Sequence, residues 1–91
     1  MSVKIDNLFG FAQLEPVHLV KVDKREVDNK LALVIVSRTE SGKQVKFGVL
    51  EPALESFAQH TEQVEPGKYR SQVPSEFISD SRKMRWINIP Y

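Results

Sequence analysis

The residues with the most chemical potential in this chain lie near its C-terminus, where Arg82, Lys83 and Arg85 stand beside Trp86, the only tryptophan. An indole face stacks on any nucleobase, and a neighbouring guanidinium or ammonium neutralises a phosphate, so this grouping suits contact with a single strand. Lys24 and Arg25 in a polar stretch at residues 23–30, Arg38 and Lys43 around a turn, and Lys46 and Arg70 on strand-like runs complete the candidate phosphate-binding set. Each of these cations, taken alone, also reads as an ordinary solvated charge. Trp86 equally suits a packed position under the apolar segment with Phe9 and Phe11, or a dimer contact.

Other chemistries find less support. His18 falls in a strand-like run and His60 near a helix end, and neither has a serine or carboxylate at a suggestive spacing. Glu51, Glu55, Glu62 and Glu65 are spaced like a solvated acidic surface rather than a calcium loop. The four glycines form no phosphate-cradling pattern, and there is no cysteine for a thiolate metal site or a disulfide framework. We therefore expect no enzyme activity, no cofactor and no metal.

Charge is segregated along the chain although the net value is only +1. Residues 17–50 hold seven basic against four acidic side chains, residues 51–66 hold four acidic and no Lys or Arg, and residues 67–91 hold five basic against two acidic. A fold that gathers the first and last of these segments presents a basic face despite a nearly neutral total.

The elements that must position these groups follow from periodicity. Glu15-Pro16 marks a boundary after an apolar covering segment, residues 1–16. Residues 17–22 are rich in β-branched types and read as a strand, followed by a polar loop at 23–30. Residues 31–36 are apolar on both parities, as a central strand covered on both faces is. After the turn cluster at 39–42, Val45, Phe47 and Val49 alternate with polar or small residues, which makes a half-buried strand and a hairpin. Pro52 then opens a helix carrying Leu54, Phe57 and Ala58 and ending near His60 or Thr61. Glu65-Pro66-Gly67 is a turn into a fourth strand at 68–73. A loop at 74–83, anchored by Phe77 and Ile78, leads to the last strand at 84–89. Period two there places Arg85, Ile87 and Ile89 on one face and Trp86 on the other.

These readings give a single mainly β domain, 91 residues long, with one short helix in the order β-β-β-α-β-β. That order resembles the OB-fold, a five-stranded Greek-key barrel that binds oligonucleotides on its strand 2–3 face and on two of its loops. The basic stretch at 23–30 and the Arg82-Lys83 end of the loop at 74–83 fall where such a barrel uses them. A second similarity is to the helix-destabilising single-stranded DNA-binding proteins of filamentous phages. It is carried by Val45-Lys46-Phe47 with Leu50, by Pro66-Gly67-Lys68-Tyr69, by Ser75-Glu76-Phe77 and by Ile89-Pro90. That family normally lacks a helix such as residues 51–60 and carries loop tyrosines that residues 23–29 do not supply. The resemblance implies a homodimer that coats single strands cooperatively during DNA replication, in the host cytoplasm if the chain is phage-encoded.

The expected function is non-catalytic, sequence-independent binding of single-stranded nucleic acid, with DNA favoured over RNA. The alternative is a small phage- or plasmid-type interaction module, an inhibitor or accessory subunit, that docks a protein partner. The longest apolar run is far short of the roughly 20 residues a membrane helix needs, and no signal-peptide apolar region is present, so a cytoplasmic setting without membrane contact is expected.

Overall fold

The computed structural model describes residues 13–89. Its strands are β1 (Leu14–Val27), β2 (Lys30–Arg38), β3 (Gln44–Leu50), β4 (Thr61–Glu65), β5 (Lys68–Pro74) and β6 (Arg85–Ile87), with two short helices, α1 (Leu54–Gln59) and α2 (Ser75–Ser79). The strands form one sheet in the order β4-β5-β1-β2-β3-β6. All neighbours are antiparallel except β3 and β6, which run parallel. The mainly β expectation holds, and so does the helix between the third strand and the next. Among the described residues the sheet has six strands and its ends, β4 and β6, do not pair with each other, so it is not closed and the expected five-stranded barrel is not confirmed.

Three differences from the sequence reading have physical causes. Pro16 is not a boundary but a residue within β1, opposite Gln72 of β5, and the ladder to β2 begins only at His18. A proline is tolerated where the strand has a neighbour on one side only. Most of residues 23–30 is not a loop, since β1 continues to Val27 and turns through Asp28 and Asn29, both at positive φ (50° and 65°), into Lys30. A two-residue hairpin needs that left-handed backbone, which Asp and Asn tolerate. The charged sequence hid this strand because it lies in an exposed ribbon. β4 was hidden for a related reason: an edge strand with exposed residues 62–65 shows no apolar face. The loop expected at 74–83 contains α2, and it is anchored by the buried Phe77 and by Ile78, as expected. The segment with Phe9 and Phe11 lies outside the described residues.

The core sits between one face of the sheet and the two helices. Val45, Phe47 and Val49 of β3 point into it with Ile35, Val17, Val73 and Ile87. Phe47 is fully buried and meets Phe57 of α1 edge-on at 5.9 Å between ring centroids, and Phe77 of α2 at 5.8 Å. A turn of 3-10 helix at Glu51–Ala53, with Pro52 in its first turn, swings the chain from β3 into α1. The end of α1 is closed by His60, whose Nδ1–H donates to the Ser56 carbonyl at 2.8 Å, and by the Thr61 hydroxyl, which donates to the Phe57 carbonyl at 2.7 Å. The Gln72 amide then donates to the His60 carbonyl at 3.1 Å, fastening the helix end onto β5. Among the described residues no helix is long and apolar enough to cross a membrane.

Because Phe47 bridges the sheet to both helices, Phe47→Ala should cost about 3–5 kcal/mol in urea unfolding, a large part of the ~5–15 kcal/mol that small domains possess. Lys46→Ala, one position away on the opposite face, should change stability by no more than about 0.5 kcal/mol.

Candidate nucleic-acid interface

The face of the sheet turned away from the helices is built in rows by strand pairing, since directly opposed residues share a face. One row runs Asp23, Val34, Gly48, Trp86 across β1, β2, β3 and β6. Lys21, Val36 and Lys46 form the next row on one side, and Arg25, Ala32 and Leu50 form the row on the other. Farther along, Arg70, His18, Arg38 and Gln44 lie opposite one another across β5, β1, β2 and β3. Ala32 and Val34 are buried on this face while the charged residues around them are exposed.

Trp86 keeps 37% of its surface exposed. Its indole lies across Gly48, where any side chain would lack room: a Cβ there would fall 2.3 Å from Cε3 and from Cζ3 of the ring. Glycine at this position is thus the seat of the tryptophan, filling the usual role of a strand glycine that lets another group approach the backbone. Ile87 points the other way into the core, as period two requires, whereas Ile89, beyond the end of β6, is exposed.

The candidate cations divide into two groups. Arg25, Arg38 and Lys46 lie on the Trp86 face, are exposed, and have no carboxylate within 4.0 Å among the described residues. Arg70 shares that face but is engaged by Glu62, to which its Nε–H donates at 3.0 Å. Lys24, Lys43, Arg82 and Arg85 lie elsewhere. Lys24 aligns with Leu33 and faces the helix side. The Lys43 ammonium donates to the Ile78 carbonyl at 2.7 Å, tying the β2–β3 turn to α2. The Arg82 side chain projects into solvent at 94% exposure, with Asp80 3.9 Å away. Arg85 turns inward from β6, its guanidinium 3.8 Å from Glu76 and its Nε buried without a partner, so it is not a neighbour of the Trp86 ring.

Two members of this face escaped the sequence reading. Lys21, 3.6 Å from Asp23, reaches it because a bulge between Leu19 and Lys21 shifts the parity of β1. Gly48 carried a legible signal, a glycine inside an alternating strand, but its meaning required knowing that β6 lies alongside. Together the groups can stack one aromatic ring and hold anionic groups on either side of it. Among the described residues no group of three or more His, Asp or Glu side chains is placed to hold a metal ion. Compared with protein-family models, with curated proteins and with solved structures, the chain matches none.

Gly48→Ala should displace the indole from its seat. The expected result is a red-shifted Trp86 emission with a stability loss of about 1–3 kcal/mol, as overpacking costs elsewhere.

Proposed function

We propose that the protein binds single-stranded nucleic acid, DNA in preference to RNA, without base preference and without catalysis, on the sheet face of β1, β2, β3 and β6. The observation that carries this reading is Trp86, held across Gly48 with part of its ring in solvent and with Lys46 and Arg25 in the rows on either side. Stacking on such a ring is worth about 1–3 kcal/mol per base and tolerates every base. Phosphate attraction by Arg25, Arg38 and Lys46 supplies the remaining, salt-sensitive part. Arg70 joins them only by giving up Glu62, and Arg82 extends the reach of the loop before β6.

Connectivity supports the finer reading of an OB-like barrel left open. A three-stranded meander has its first strand paired to β5 and its third paired in parallel to the last strand, with the helix after the third. Strands 2 and 3 of that fold carry its oligonucleotide-binding face, and here the corresponding strands carry Arg38, Lys46 and Gly48. The preference for DNA, a homodimeric state and a cytoplasmic setting rest on the sequence similarity and composition described above.

Titration with oligo-dT at low ionic strength, followed by Trp86 emission, tests this directly. Quenching with an affinity that falls as salt rises is expected. Lys46→Ala should reduce the magnitude of the log K against log salt slope by about 0.7, the increment for one phosphate contact on a single strand. Unchanged emission together with no salt-sensitive binding overturns the proposal.

A further inference from the structure

The opposite side of the sheet holds an open apolar groove of about 540 Å³ where the short helix α1 stops covering the core. Leu31 and Leu33 of β2, Leu54 and Phe57 of α1 and Tyr69 of β5 line it, and among the described residues Lys24 is its one charged lining group. Leu31 and Tyr69 are exposed at 44% and 43%, far more than the rest of the core.

The same place has an unsatisfied backbone edge. β1 pairs with β5 only as far as Leu19 opposite Tyr69, while its ladder to β2 continues to Val27 opposite Lys30. Among the described residues, 20–27 therefore have a sheet neighbour on one side only. Residues 20–26 are exposed, Val20 at 58% and Val22 at 47%.

We propose that this edge and groove together receive an extended peptide segment of a partner protein, apolar at alternate residues and acidic where it passes Lys24. A chain laid along the free edge continues the line of β5 and gains main-chain hydrogen bonds, and its alternate side chains enter the groove. The free ladder selects an extended polypeptide over a compact ligand, because only a strand satisfies successive N–H and C=O groups. Lys24 selects the charge. Among the described residues no acidic side chain lines the groove, but Glu26 follows Lys24 on the same face of β1, opposite Leu31, so the carboxylate of the peptide belongs at Lys24 and not beyond it. The groove is of the size and apolar character of sites that bind small ligands or anchor side chains. The side chains that enter the groove lie on the helix side of the sheet; the alternate ones emerge on the outer face beside β1, with β2 and β3 between β1 and the β6 strand of Trp86.

The test selects peptides of about twelve residues, long enough to span the free edge, from a random displayed library on the full chain, with saturating oligo-dT present. The expected outcome is enrichment of alternating apolar sequences with an acidic residue. A synthetic copy of the enriched peptide should slow hydrogen exchange of the amides at residues 20–27 in the unaltered protein. Leu31→Glu and Lys24→Glu should each weaken it about tenfold or more, as loss of an anchor does. Both substitutions fall at exposed positions, and the exchange measurement needs no variant. The proposal is overturned if no sequence is enriched, if the bound peptide protects other amides, if both variants bind unchanged, or if sodium decanoate binds the groove while no peptide does.

Discussion

The contact of Phe47 with Phe57 and Phe77 is the constraint from which the rest of the molecule follows. One ring in the middle of β3 is met by one aromatic from each helix, so two helices of one or two turns suffice to close one face of the sheet. Edge-on and tilted ring pairs of this kind add about 0.5–1.5 kcal/mol each beyond the apolar area they bury. A chain of this size has no further helix among its described elements to lay on the other face. Two surfaces are then left that the aromatic triad does not cover: the outer face of the sheet and the end of the core beyond α1.

The bulge at Val20 decides what those two surfaces contain. On either side of it β1 keeps its period of two, but the parity changes, so His18 and Lys21 lie on the same outer face although they are three residues apart. An unbulged strand would turn Lys21 inward and bring Val20 against Val36. The bulge also coincides with the end of pairing to β5, which is where the strand leaves the sheet's second neighbour and the groove opens. Bulges that bend a strand and re-aim its side chains are a common device for this purpose.

Much of the core was legible in the sequence because burial imposes period. Val45, Phe47 and Val49 announced their face and Pro52 announced the turn into a helix; residues 31–36 announced β2, but it is not covered on both faces, since Leu31 is 44% exposed and Leu33 and Val36 are half-buried. What could not be read were elements whose partners, not whose own pattern, define them. Residues 23–26 of β1 and all of β4 except Val64 are charged or polar on both parities and are strands because β2 and β5 pair with them. The alternation at 85–87 put Trp86 and Ile87 on opposite faces but left open which of them meets solvent; Ile87 is buried in the core, which turns the indole to the outer face. The seat of the indole was not legible, since Gly48 is distant in the chain and becomes meaningful only through the parallel pairing of β3 with β6. For the same reason the candidate cations did not stay together: Arg85 is adjacent to Trp86 in sequence and opposite to it across the sheet.

The separation of the two faces also bears on how a chain with a net charge of +1 would attract a polyanion if it binds one as proposed. Glu51, Glu55, Glu62 and Glu65 are exposed on the helix, the turn that leads into it and the β4 edge, away from the row of Gly48 and Trp86. They would repel a phosphate backbone from the far side of the sheet and from the Arg70 end of the outer face, where Glu62 already pairs with the guanidinium. A single strand bound as proposed would keep to the lane of Arg38, Lys46, Trp86 and Arg25, where cations without a carboxylate within 4.0 Å among the described residues flank the exposed ring. At physiological ionic strength the Debye length is about 8 Å, so it is this local lane and not the total charge that a phosphate senses. On the proposed reading the acidic residues would set the direction of approach, and Gly48, which seats Trp86, would set where along the lane a base stacks.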